Sequence, residues 1–153
     1  TSTTIPFGIL DAGVATTSAQ QLTVSTNAAN GYSVTVQTDG DLRSTTGAVI
    51  DTFAEGGDTS TPTSWTQPSG DVNLANTWGH WGITSDDDDI FASQEFIAAS
   101  TSPRQIMTHN GPVNGEGVGV GTTTVGYKVE ITALQEAGDD YSTTVTYVAT
   151  PTF

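Results

Sequence analysis

Thr123-Thr-Val-Gly-Tyr-Lys-Val-Glu-Ile-Thr-Ala133 alternates from end to end: Val125, Tyr127, Val129, Ile131 and Ala133 fall on one side, and Thr124, Lys128, Glu130 and Thr132 on the other. Successive side chains of an extended chain point to opposite faces, so this period of two marks a strand with one face on a core. The same reading holds over Gly31 to Thr38, where Tyr32, Val34 and Val36 oppose Ser33, Thr35 and Gln37. It holds over Gln20 to Thr26, with Leu22 and Val24 together, and over Tyr141 to Ala149, with Tyr141, Thr143, Val145, Tyr147 and Ala149 together. Threonine, 29 of 153 residues, belongs to this pattern. β-Branching stiffens χ1 in a way that a pleated surface tolerates, so the excess reads as strand propensity on solvent faces.

Turn chemistry separates the runs. Asn27-Ala-Ala-Asn30-Gly31 divides the strands near 20–26 and 31–38, and Asn30-Gly31 is expected to supply the positive-φ positions of a tight turn. Glu136-Ala-Gly138-Asp139-Asp140 is expected to join the last two strands as a C-terminal hairpin. Residues 48–54 and 104–108 read as strands, 72–83 contains one, 113–121 is a flat strand or loop, and 55–70 is a Gly/Ser/Thr/Pro loop carrying Trp65. The one helical turn expected is at Ile90 to Ala99, behind an acidic N-cap. Many short strands without helices predict an all-β fold, a single Ig-like β-sandwich with Greek-key wiring over residues 1–153; a closed barrel is the main rival.

Composition narrows the function. The chain is long enough for one core. Lys and Arg number 3 against 17 Asp and Glu, a formal charge of −14. Three cations do not neutralise a phosphate backbone or bind an anionic lipid surface, so nucleic acid is excluded as a partner. No apolar run approaches the roughly 20 residues of a membrane span, so no membrane insertion is expected. The acidic balance has three readings: solubility, bound divalent cations, or a salty habitat. Cys is absent, which removes thiol chemistry and a disulfide framework. The opening Thr1-Ser-Thr-Thr4 reads as a trimmed start or a removed signal peptide, and Ala149 to Phe153 holds neither a sorting signal nor a hydrophobic anchor. A Thr-, Gly- and Ser-rich, Lys-poor chain fits an extracellular, cell-surface location.

Catalytic signals are poor. There is no Gly-x-Ser-x-Gly, no His-Glu-x-x-His, and Gly115 to Gly121 lacks the Gly-x-Gly-x-x-Gly spacing, so no enzyme, catalytic residue or cofactor is expected. His80, between Trp78 and Trp81, reads as a structural histidine, and His109 as a turn residue. Asp86, Asp87, Asp88 and Asp89 are the sharpest charge feature. Four adjacent carboxylates suit calcium, which takes six to eight oxygens, although the run departs from the EF-hand pattern; the plainer reading is a solvated acidic turn. Asp39-Gly-Asp41 is a weaker version of the same choice. Trp65, Trp78 and Trp81 are candidates for a sugar-stacking platform, with core packing as the alternative. Lys128, the only lysine, should point to water because Tyr127, Val129 and Ile131 take the inward face, which argues against a Lys–Asn isopeptide crosslink.

The closing segments, Gly126-Tyr-Lys-Val-Glu-Ile131 and Gln135-Glu-Ala-Gly-Asp-Asp-Tyr141-Ser-Thr-Thr-Val-Thr-Tyr-Val-Ala-Thr-Pro151, resemble the last strands of secreted bacterial β-sandwich surface proteins, among them spore coat protein U-like and chaperone–usher pilin-like domains. The opening is similar too, at Ile5-Pro-Phe-Gly8, Leu22-Thr-Val-Ser-Thr-Asn27 and Asn30-Gly-Tyr-Ser-Val-Thr-Val36. Together these cover about a third of the chain. The closest likeness is to uncharacterised surface proteins of candidate-phylum bacteria. Coat-U and pilin domains usually carry a disulfide, which this chain lacks. The resemblance implies a structural subunit of an extracellular filament, pilus or coat, a homopolymer in which each copy lends a strand to the next. On that reading residues 1–10 are the donor strand, with Thr3, Ile5, Phe7 and Ile9 on the face that enters a neighbour, and Asp11 to Ala19 are the connector. The plainer alternative makes 1–10 the first strand of its own sandwich. The alternative function is a secreted carbohydrate-binding module using the tryptophans and calcium.

Overall fold

The computed structural model describes residues 4–138 and 140–153. It is an all-β sandwich. The strands are β1 (Thr16–Thr23), β2 (Ser25–Thr26), β3 (Tyr32–Thr38), β4 (Leu42–Arg43), β5 (Val49–Thr52), β6 (Thr63–Ser64), β7 (Gly79–Ser85), β8 (Glu95–Ala98), β9 (Arg104–His109), β10 (Val113–Asn114), β11 (Thr122–Ile131) and β12 (Val145–Pro151). A single 3-10 turn occupies Ala75–Thr77. No helix among the described residues is long and apolar enough to cross a membrane.

The larger sheet runs β1-β11-β7-β5-β4, with β8 beside the second half of β7 and β6 on β8. All its pairings are antiparallel except β5 on β7. The smaller sheet is β12-β3-β9, and β2 pairs with β10 in a short ladder. The two inner faces meet in one core: Tyr32, Val34 and Val36 from β3, Ile106 and Met107 from β9, Trp81 and Ile83 from β7, and Val125, Tyr127 and Val129 from β11. Ile131, Val145 and Tyr147 pack at its margin, half-buried. The bridge from Arg43 to Ser142 ties the sheets together at one end. Among the described residues β1 and β12 each pair on one side only, so the sheets do not close into a barrel.

Four expectations from the sequence are corrected. The C-terminal hairpin does not form: β11 lies between β1 and β7, while β12 crosses to the other sheet and pairs with β3. Both strands turn their apolar faces inward, and they meet across the core instead of side by side. The 27–31 turn is likewise an arch between sheets. Only Gly31 there has positive φ, at 78°, and it is irreplaceable: a Cβ would stand 1.8 Å from the His109 carbonyl oxygen. The helical turn at 90–99 shrinks to isolated turns, with the Ile90 and Phe91 N–H groups on the Asp87 carbonyl at 3.1 and 2.9 Å and the Glu95 N–H on the Ala92 carbonyl at 3.2 Å. Gln94, at φ 65°, breaks the run, and Glu95–Ala98 is strand. The connector is shorter than 11–19, because Thr16 to Ala19 belong to β1 and pair with Val129 to Gly126.

Candidate functional site

Where β12 faces β11, the sheets part around a cavity of about 1300 Å³. Tyr127 and Ile131 on β11, Trp81 on β7, Leu42 and Ile50 on β4 and β5, and Val145 and Tyr147 on β12 line it, with the arch 132–138 at one end. Protein interiors are close-packed, with few voids larger than a water molecule. A gap of this size between two core faces is a groove, and its lining is mainly apolar. The Tyr127 and Tyr147 hydroxyls hydrogen-bond each other across it. Burial pushes the Tyr127 phenol well above the usual tyrosine range and raises that of Tyr147 as well. Among the described residues Glu136 is the one carboxylate on the lining. Such a surface holds apolar groups by burial and a backbone by its edges.

The roof is the chain's own start. Ile5, Phe7 and Leu10 pack half-buried on the core, yet no strand is formed before Thr16 among the described residues. Gly8 sits at φ +73°, which breaks the alternation. Leu10 therefore turns inward, and Ile9 is 90% exposed. Of the four residues expected on the donor face, Ile5 and Phe7 pack on the core over the groove, Ile9 stands at its rim without packing on the core, and Thr3 lies outside the described residues. The segment joins the sandwich at Gly13, whose N–H donates to the Ile131 carbonyl at 2.8 Å.

The four aspartates do not converge. Asp86 Oδ1 accepts the Thr124 N–H at 2.8 Å. Asp87 is fully buried, with Oδ2 accepting the Thr108 N–H at 2.8 Å and Oδ1 the Asp89 N–H at 3.1 Å. Burial pushes its carboxyl above the usual range. Asp88 and Asp89 face outward. Among the described residues no three His, Cys, Asp or Glu side chains group as metal ligands would. Asp39 is also a local brace, accepting the Thr143 hydroxyl at 2.6 Å and the Thr144 N–H at 2.9 Å.

The tryptophans are dispersed. Trp81 is in the core. Trp78 donates its indole N–H to the Asp71 carbonyl at 2.9 Å. Trp65 stacks on Phe53, with centroids 4.9 Å apart and planes 6° from parallel. Trp65 also reveals what the sequence did not. The outer face of β7 and β11 is covered by a second aromatic cluster of Phe53, Trp65 and Phe96 around buried His80. Lys128, expected in water, lies with Nζ 4.7 Å from the Trp65 ring centroid and 5.4 Å from that of Phe96. The signal was the loop's isolated Trp65, which has no period to declare its partner.

In the comparisons with known proteins, no family model, no curated protein and no solved structure matches the chain. The fold and the groove define it as a β-sandwich with an apolar cleft between two sheet edges.

Proposed function

We propose that the chain is a structural subunit of an extracellular homopolymer, a filament, pilus or coat, in which the N-terminal segment of one copy fills the groove of the next. The groove carries this reading. Its volume exceeds the roughly 300–1,000 Å³ of ordinary ligand pockets and suits an elongated apolar occupant. The strands flanking it, β1 and β12, each have an unpaired side among the described residues, and an unpaired edge is a template for an added strand. The chain's own segment rests over the groove without strand pairing, so exchanging it for a neighbour's copy breaks no ladder. Extended, Ile5 and Phe7 enter together, and Pro6 faces the side where no N–H is needed. The contact is head-to-tail and does not close on itself, which builds a filament. The carbohydrate reading has less support, since Trp81 is internal and Trp65 already stacks on Phe53.

Deleting residues 1–10 tests the reading. The truncated chain should remain folded and unassembled, and a synthetic peptide of residues 1–10 should bind it and raise its melting temperature. A truncated chain that unfolds, or an intact chain that stays monomeric at high concentration, would refute it.

A further inference from the structure

A second feature, on the outer face of the larger sheet, stands apart from the groove. Residues 53–70 leave β5, cross over β7 and β11, and return toward the turn at 75–77. The segment starts at three successive left-handed residues: Ala54 at φ 63°, Glu55 at φ 58° and Gly56 at φ 78°. Two of these are not glycine, so strain is stored at this end. The neck is fastened by the Ser69 N–H to Glu55 Oε1 at 2.9 Å. Asn76 Nδ2 donates to the Glu55 carbonyl at 2.5 Å. Further out, the segment is held by few bonds: the two-residue pairing of β6 with β8, the Ala98 N–H to the Thr59 carbonyl, the Asp58–Arg104 ion pair, and the Trp65 indole N–H to Glu130 Oε2 at 2.8 Å.

Beneath it lies His80, with no exposed surface and no side-chain partner on either ring nitrogen; its polar neighbour is the Thr66 backbone of the lid, which favours the charged ring. Phe53 and Trp65 meet it edge-on, with centroids 5.5 and 4.7 Å away. A neutral imidazole suits this cage better than an imidazolium, whose charge would be buried among aromatic rings with the Thr66 backbone as its one hydrogen-bonding neighbour. We propose that residues 53–70 form a lid that acid opens, with His80 as the group that releases it.

The charges facing His80 fix the sign. From β11 come Glu130, a favourable neighbour for an imidazolium, and Lys128, an unfavourable one; Glu55 of the lid neck is a further favourable neighbour. Asp51 of β5 stands beside His80 in register, its carboxyl raised above the usual range by burial and by Asp41, against the opposing pull of Arg43. β8 contributes Phe96, which is uncharged. Burial outweighs the Thr66 backbone hydrogen bond and the carboxylates, and lowers the His80 pKa. With the lid open, the imidazole regains its ordinary value near 6.5. The open form therefore binds more protons, and closure is fully favoured above about pH 6.5. Closure weakens as pH falls from there toward the lower pKa of the closed form. Opening parts Phe53 and Trp65 of the lid from Phe96 on β8 and exposes apolar surface on both.

Hydrogen–deuterium exchange of the intact chain between pH 8 and 5, corrected for intrinsic rates, tests this. Peptides covering 53–70 should gain open population by up to about tenfold per pH unit below about 6.5, while those from β3 and β12 stay protected. His80→Phe should abolish the dependence. Glu130→Gln keeps an acceptor for Trp65 and removes the compensating charge, so it should enlarge the ratio of opening at pH 5 to opening at pH 8. A wild-type lid equally protected at pH 5 and pH 8, or a His80→Phe chain with the wild-type dependence, would overturn the proposal. If the Phe variant does not fold, a Glu130→Gln ratio no larger than wild type would do the same.

Discussion

Replacing Phe7 by alanine separates a donated segment from a first strand. In the single chain Phe7 is half-buried, and its segment belongs to no sheet among the described residues. Full burial of a phenylalanine contributes about 1.5–3 kcal/mol, so half of it, without a ladder to disrupt, is roughly 1 kcal/mol. Denaturant unfolding of the unassembled Phe7→Ala subunit should show a loss of that order. Seated between the two sheets of a neighbour, the ring is buried outright, and truncation removes about 1.5–3 kcal/mol per junction. Net of the roughly 1 kcal/mol already lost in the free subunit, that raises the concentration needed for assembly about twofold to thirtyfold, read by sedimentation against subunit concentration. The asymmetry between the two numbers is the prediction. If Phe7→Ala costs the isolated subunit about 3 kcal/mol or more, in the range of true core phenylalanines, the segment is integral to its own fold and the exchange argument fails. An unchanged assembly threshold refutes it equally.

Three further outcomes follow from the braces around the groove and the loops. Tyr147→Phe leaves the Tyr127 hydroxyl buried without its partner and should cost about 1–3 kcal/mol in chemical unfolding, while Tyr127→Phe with Tyr147→Phe should cost less than the sum of the two. Asp39→Asn should lower the melting temperature at neutral pH. Hydrogen bonds from Thr143 and Thr144 hold the Asp39 carboxyl below its usual pKa, so its contribution is present above the unfolded value and disappears as pH falls through the lower folded one. The gap between variant and wild type should close accordingly in acid melts. Chelation with EDTA should leave the melting temperature unchanged, because Asp86 and Asp87 are already committed to backbone N–H groups; a drop of several degrees would restore the calcium reading.

What could be read from the chain depended on how far away each residue's partner lay. Val125, Tyr127 and Val129 declared their face by alternation alone, since period two is a property of one strand. The strand beside them is not such a property. β11 and β12 carry equally regular patterns, and the pattern is the same whether they neighbour in one sheet or oppose across the core, so the expected hairpin became an arch. Ile9 failed for a local reason: one left-handed glycine at 8 shifts the phase by a residue, and Leu10 takes the inward place. The run of four aspartates read as one charge, yet alternation sends Asp87 inward to cap a turn and Asp86 outward to a neighbouring strand. Lys128 and Glu130 read as solvent-facing because their strand looks outward there, while His80 reads as a structural histidine flanked by aromatics, which its burial bears out. Their cover comes from Phe53 and Trp65, on an aperiodic loop far along the chain, where no spacing can announce what it covers. The same reasoning bears on the groove. Its lining was legible as apolar, residue by residue, but the space between the residues belongs to the packing of two sheets. The segment that covers it shows in sequence only as alternation interrupted by Pro6 and Gly8, which is why a donated strand and a loosely seated first strand read alike until Phe7 is cut back and both equilibria are measured.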